Sequence, residues 1–167
     1  MAIEIERKFL VASDAWRNDV VSSAAMSQGY LGGGASTIRV RKTGDGAFLT
    51  IKGRAEGLAR AEFEYPIPIE DAEAMLASMT VGTIVKKIRF IVPAGNGLVW
   101  EIDEYLDDNA PLFTAEIELP EPDTPFEKPA WLGAEVSDNK NYTNRSLSRV
   151  PYSTWVNGAP PEKKEDN

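Results

Sequence analysis

Charged and apolar residues alternate with a period of two through most of this chain, beginning at "IEIERKF" over 3–9. Successive strand residues point to opposite faces of a sheet, so this spacing predicts strands with one charged side and one apolar side. Strands are expected at 3–11, 27–31, 36–43, 46–54, 60–68, 83–92, 97–106 and 113–120. "GDG" at 44–46 and "GNG" at 95–97 are hairpin signals, which makes 36–54 and 83–106 antiparallel pairs. Two stretches switch to helical spacing. In "SDAWRNDVV" (13–21), Ser13 is a candidate cap, Asp14 sits in the first turn, and Trp16 and Val20 share a face. In "IEDAEAMLASM" (69–79), Ala72, Met75, Leu76 and Met79 recur at helical intervals, with acids near the start. The polar, Pro-rich end "GAPPEKKEDN" predicts a disordered tail at 156–167, behind one domain at 1–155.

The charged faces have an internal order. "EIERK" carries Glu4, Glu6 and Lys8; "IRVRK" carries Arg39 and Arg41; "LTIKGR" carries Thr50, Lys52 and Arg54. "AEFEY" carries Glu62 and Glu64, "KKIRF" Lys87 and Arg89, "VWEIDEY" Glu101 and Asp103, and "TAEIEL" Glu116 and Glu118. Most of these doublets are of a single sign. A solvated face mixes signs along a strand, because like neighbours repel. Serine, threonine and glutamine, common on wet faces, are largely missing from the same positions. Such a pattern points to charges kept for their chemistry.

Composition narrows that chemistry. The 167 residues suffice for one domain with a buried core, and no apolar run approaches a membrane span. Charges at positions 4, 6, 7 and 8 are unlike the start of a secretory signal. The chain has no cysteine, hence no disulfide, thiolate nucleophile or zinc–sulfur site, which suits the cytoplasm. It has no histidine either, so Ser–His and Cys–His catalysis and imidazole–metal sites are excluded. Any metal must be a hard cation held by carboxylates, such as Mg2+ or Mn2+. A net charge of −8 argues against a nucleic-acid partner.

Closing about eight such strands gives a barrel whose interior can be filled by side chains or hold a small ligand. With the charged face inward, the lumen gathers the eight acids and the bases Lys8, Arg39, Arg41, Lys52, Lys87 and Arg89. Desolvating an ion costs several kcal/mol, so these groups need one another, water and a highly charged guest. A polyphosphate with a divalent cation satisfies both signs. The apolar outer face then needs cover from the two helices, the C-terminal segment or a second subunit, as in a homodimer. The fold class expected is α+β and mainly antiparallel: a closed eight-stranded barrel, or tunnel, with a few short flanking helices.

The order "EIERK", "IRVR", "TIKG", "EFE", "KKIR", "WEID", "EIEL" resembles the CYTH superfamily, the triphosphate tunnel metalloenzymes, and "WLGAEVSDNKNYTNRSLS" at 131–148 resembles its C-terminal segment. The likeness spans residues 3–148. It implies Glu4, Glu6, Glu116 and Glu118 as metal-binding acids. It implies Lys8, Arg39, Arg41, Lys52, Lys87 and Arg89 as phosphate-binding residues, with Arg60 and Lys140 as further contacts. Glu62, Glu64, Glu101 and Asp103 would support them. Strand parity sends Lys87 to the lumen with Arg89 and Lys86 to solvent. The activity implied is hydrolysis of inorganic tripolyphosphate, with Lys87, Glu4 and Glu6 as catalytic candidates and a triphosphate-containing small molecule as partner. A class IV-type adenylate cyclase and a thiamine triphosphatase are the alternatives that the same lumen would serve.

Overall fold

The structure, a computed structural model, describes residues 2–32 and 34–162. Nine strands form one sheet: β1 (Ala2–Val11), β2 (Ser22–Leu31), β3 (Thr37–Thr43), β4 (Ala47–Lys52), β5 (Ala59–Ile67), β6 (Thr80–Gly95), β7 (Leu98–Tyr105), β8 (Phe113–Glu118) and β9 (Leu132–Glu135). Their spatial order is β5-β4-β3-β2-β6-β7-β8-β1-β9, and β5 also pairs with β1. That last pairing closes eight strands into an antiparallel barrel. Both hairpin signals form turns. Thr43 N–H donates to the Gly46 carbonyl at 2.8 Å, and Asn96 and Gly97 take φ of 54° and 76°, the left-handed pair that a tight two-residue hairpin requires.

The seam of the barrel lies along β1. Ala2–Ile5 pair with Ala59–Glu62 of β5, whereas Phe9 and Val11 further along pair with β9. β5 and β1 therefore part after Ile5, and β9 and the residues after it fill the gap. The short helix α2 (Asn144–Arg149) follows, its first turn capped by Thr143 Oγ1, which accepts from Ser146 N–H at 3.1 Å. It packs against β6 at Gly82, whose φ is +80° and where a Cβ would sit 2.5 Å from the Ser148 carbonyl oxygen. Only glycine suits that approach.

The apolar core lies outside the barrel wall. Outward-facing Phe9, Trp100, Ile102, Ala115 and Ile117 pack with Trp16 and Trp131, which come from segments wrapped over β6, β7, β8 and β1. Helix α1 (Ile69–Ser78) covers β3 and β4 through Ala72 and Leu76 against Val40 and Ala47. The outer side of β5 and the start of β1 remain bare, leaving Ile3 61% and Tyr65 52% exposed.

Several local expectations need correction. The stretch after Ser13 forms a five-residue 3-10 turn, Ala15–Asp19, with Asp14 rather than Ser13 at the capping position and Val20 beyond its end. It serves to bury Trp16. Met79 lies past the end of α1 and is exposed. Strand β2 begins at Ser22, five residues earlier than expected, because "SSAAM" has no alternation of its own and is held by pairing with β6. β9 is four residues long and has no recognisable period. Within the expected tail, Val156 and Ala159 bridge around a turn, and residues 163–167 lie outside the described residues.

Candidate active site

The barrel encloses a cavity of about 770 Å³, large enough for a small polyanion and its counter-ions. Among its lining residues are Glu4, Glu6 and Lys8 of β1, Arg39 and Arg41 of β3, Lys52 of β4, and Arg60, Glu62 and Glu64 of β5. Lys87, Arg89, Glu101, Glu116 and Glu118 complete the wall from β6, β7 and β8, and Lys140 reaches it from the C-terminal segment. Asp103 is fully buried behind Lys87 and Arg89. The period of two brings the strand side chains together, and Lys140 joins them from a 3-10 turn. Lys87 is 1% exposed in its side chain, whereas Lys86 is 52% exposed and faces Asp107 on the outside.

Strand order sorts the charges into two arcs. Following β4, β3, β2 and β6 around the wall, the ions are basic: Lys52, Arg39, Arg41, Lys87 and Arg89. Following β7, β8, β1 and β5, they are mostly acidic, with Lys8 and Arg60 as the exceptions. Within the acidic arc like charges stand directly opposite each other: Glu6 faces Glu118, and Glu101 faces Glu116. Cross-strand like pairs are destabilising, so this crowding costs folding energy that a solvent-facing surface would avoid.

Part of that cost is offset by pairing inside the lumen. Lys52 Nζ lies 2.7 Å from Glu4 Oε2, and Lys8 Nζ lies 3.1 Å from Glu116 Oε1 and 3.1 Å from the Tyr142 carbonyl oxygen. Asp103 accepts from Arg89 Nε at 2.8 Å, from Arg89 Nη2 at 2.9 Å and from Lys87 Nζ at 2.8 Å. Glu101 meets Arg89 Nη1 at 2.6 Å. Asn144 Oδ1 accepts from Lys87 Nζ at 3.2 Å, so the start of α2 helps to aim that ammonium. On the opposite wall, Glu64 Oε2 accepts from Thr50 at 3.0 Å and stands 3.6 Å from Arg39 and 3.8 Å from Arg41.

The pairing is incomplete on both arcs. The Nε atoms of Arg39, Arg41 and Arg60 are buried without an acceptor. Burial, with Arg39 and Arg89 nearby, lowers the Arg41 guanidinium to about 10. Burial, with Glu116 and Glu4 nearby, raises Glu6 well above the usual carboxylate range. Glu116 is shifted the other way, because Lys8 and Arg89 outweigh its own burial and it ionises readily. Burial also raises Glu101 and Glu118. Lys87 is depressed to about 8, chiefly by burial and only partly restored by Asp103. Unsatisfied buried donors facing crowded carboxylates are the complement of an anion carried with a cation.

The acids offer only hard oxygen donors, which suit a divalent cation of the Mg2+ or Mn2+ type, and the raised Glu6, Glu101 and Glu118 register excess negative charge that such a cation would relieve. Among the described residues no three carboxylates converge on one point as they stand, because Glu4 is held by Lys52 and Glu116 by Lys8.

Three lumen residues, Gln28, Tyr30 and Thr114, escaped the charge-spacing argument. Fully buried Gln28 donates from Nε2 to the Tyr30 hydroxyl at 3.0 Å, opposite Arg41 and Arg39 respectively. Thr50 and Thr114 are also fully buried on the inner face, so neutral polar residues are less rare there than the sequence pattern suggested. The only signal for the β2 pair was a polar step of two, Gln28 and Tyr30 in "SQGYL", with no charge to mark it.

A closed antiparallel barrel holding opposed acidic and basic arcs defines a class of protein, and a model of the CYTH domain matches residues 2–152. The chain belongs to the CYTH domain family. It is similar to an inorganic triphosphatase of Acetivibrio thermocellus, 36% identical over 156 residues that cover 93% of this chain and 99% of that protein. It is also similar to an inorganic triphosphatase of Nitrosomonas europaea, 35% identical over 149 residues covering 87% and 96%. A crystal structure described as that of an inorganic triphosphatase superimposes with a TM-score of 0.66 at 31% identity, covering 89% of this chain and 95% of the other.

Proposed function

We propose that this protein hydrolyses inorganic tripolyphosphate to pyrophosphate and orthophosphate, using Mg2+ or Mn2+ held by Glu4, Glu6, Glu116 and Glu118. The observation that carries the reading is the lumen itself: in a cavity of about 770 Å³ the buried guanidinium Nε donors of Arg39 and Arg41 lack an acceptor across from an acidic arc, and that of Arg60 lacks one within it. Relatives described as inorganic triphosphatases, similar over nearly the whole chain, support it. No helix among the described residues is long and apolar enough to cross a membrane.

In this reading Lys8, Arg39, Arg41, Lys52 and Arg89 grip phosphate oxygens, with Arg60 and Lys140 adding contacts at the cavity wall. Charge-assisted bonds of this kind fix the chain of phosphates and spread the charge that develops on transfer. The cation, when bound, supplies charge neutralisation and polarises phosphoryl oxygen. Glu62, Glu64, Glu101 and Asp103 orient the basic side chains; Asp103 and Glu64 are already engaged with Lys87, Arg89, Arg39 and Arg41. Water attacks the terminal phosphorus while the bridging P–O bond breaks, and a carboxylate of the Glu4–Glu6 pair accepts the water's proton. Lys87 gives a proton to the leaving pyrophosphate. An ammonium brought to about 8 by burial yields a proton near neutral pH more readily than a solvated lysine.

Phosphate release is to be measured with tripolyphosphate, ATP and thiamine triphosphate, each with Mg2+ and with Mn2+, resolving nucleotide products. Fastest release from tripolyphosphate is expected. Cyclic AMP as the main product would overturn the reading in favour of a cyclase, and faster turnover of thiamine triphosphate would reassign the substrate.

A further inference from the structure

Lys52 and Glu4 belong to different halves of the proposed machinery, one to the phosphate and the other to the cation. Yet in the structure they bind each other. The two atoms are 2.7 Å apart, and the side chains are 14% and 11% exposed. They come from strands that never pair: Glu4 stands opposite Arg60 on β5, and Lys52 stands opposite Glu62 on the far edge of that same strand. The contact thus bridges diagonally across β5, joining the end of the basic arc to the acidic one.

Resting on the triphosphatase reading, we infer that Lys52 is a positioning residue that holds Glu4 away from the cation until phosphate oxygens take its ammonium. A buried pair cannot be opened cheaply by removing one partner, because the other is left with an unmet charge. A cation arriving alone must either draw Glu4 off Lys52 or sit close to an ammonium that repels it. Triphosphate arriving alone must draw Lys52 off Glu4, leaving that carboxylate facing an anion. When both arrive, Lys52 turns to phosphate and Glu4 to the metal, and neither charge is stranded. Each ligand therefore lowers the cost of binding the other, and linkage makes the effect reciprocal. Arg54 lines the same cavity without any carboxylate within ion-pair distance among the described residues, so it lacks this function.

The inference makes a counter-intuitive claim: losing a phosphate-binding lysine should tighten metal binding to the substrate-free protein. Mn2+ alone is titrated at pH 8 into wild type, Lys52→Gln, Glu4→Gln and the double variant, with free Mn2+ followed by its electron paramagnetic resonance signal. Lys52→Gln should bind Mn2+ on the order of 10-fold more tightly than wild type. In the Glu4→Gln background the same change should have no such effect. Lys52→Arg keeps the ion pair and should stay near wild type, which also serves if Lys52→Gln melts early. Arg54→Gln measures the general effect of removing one positive charge and should shift affinity far less. Equal tightening in Lys52→Gln and Arg54→Gln, or tightening that persists without Glu4, overturns the inference. Tripolyphosphate turnover by wild type, assayed in parallel, separates the two failures: absent turnover sinks the functional reading, whereas turnover without the Mn2+ pattern sinks only the role of Lys52.

Discussion

The two arcs of the lumen face the same cavity and are both overcharged, but they hold their excess differently. On the basic arc the surplus appears as hydrogen-bond donors with no acceptor, at Arg39 and Arg41, because a guanidinium does not readily give up its proton. On the acidic arc the surplus appears as a raised affinity for protons, at Glu6 above all, because a carboxylate can neutralise itself. One wall thus waits with its charge fixed. The other waits with its charge partly stored. An anion should bind the first wall at any ordinary pH, while a cation must compete with protons for the second.

The sharpest way to break this comparison is at Lys87, where the basic arc touches the acidic one. Replacing Lys87 with Ala should lower kcat about 10²- to 10⁴-fold, the usual worth of a positioned proton donor. The fold should survive, since Arg89 still covers both oxygens of Asp103. Circular dichroism and steady-state kinetics check the two halves of that statement, and full activity would remove Lys87 from the mechanism. Next in size, Arg41→Ala should cost on the order of 10²-fold in kcat/KM, as for other preorganised donors to a developing anion. A loss no greater than for an exposed lysine such as Lys86 would mean that the unpartnered donors do not meet substrate.

The acidic arc makes a prediction about pH. Glu6, Glu101 and Glu118 are raised in the folded protein, so the native state holds more protons than the unfolded chain above the ordinary carboxylate value of 4.5. Stability of the metal-free protein should therefore fall as pH rises above 4.5, until these groups have ionised. Added Mg2+ should flatten the decline, and Glu6→Gln should reduce it; thermal melts from pH 5 to 8 provide the check. A rising Tm over that range in metal-free buffer would refute the stored-proton picture.

The smallest effect is expected outside the barrel. Glu135 is lowered to about 2 by its hydrogen bonds from Arg7, which outweigh the opposing desolvation, with a further hydrogen bond from Ser137. Its contribution is complete above the ordinary value of 4.5 and disappears as pH falls through about 2. Because the pair is partly solvated, Arg7→Ala should cost only about 0.2–1 kcal/mol at neutral pH, measured by urea denaturation. A much larger loss would show that the Arg7 guanidinium, stacked 5.0 Å from the Phe126 ring centroid, holds the covering segment in place.

Much of this architecture is legible along the chain, and the illegible parts share a cause. Lys87 and Lys86 are adjacent, yet a count of two from Arg89 assigns one to the lumen and the other to the exterior, because the pleat allows no other parity. Gln28 and Tyr30 occupy equally internal positions but carry no charge to set them apart from ordinary strand residues. The seam at β1 was harder still. Ile5 ends the pairing with β5, and four residues of β9 take up the edge further on, a handover fixed by barrel geometry rather than by any local preference. Asn144, which receives Lys87 Nζ, comes from 57 residues downstream and owes its place to α2 docking on Gly82.

By itself, then, the sequence determined which side chains share a face, since period-two alternation is a local property of extended backbone. It also restricted the chemistry to carboxylates, lysines and arginines by supplying neither histidine nor cysteine. Only the tertiary structure decided that the charged face turns inward, that basic and acidic strands gather into opposed arcs, and that Lys52 reaches across β5 to Glu4. Those outcomes depend on strand order and closure. Both are set by contacts between residues far apart in the chain, and no single stretch of sequence contains them.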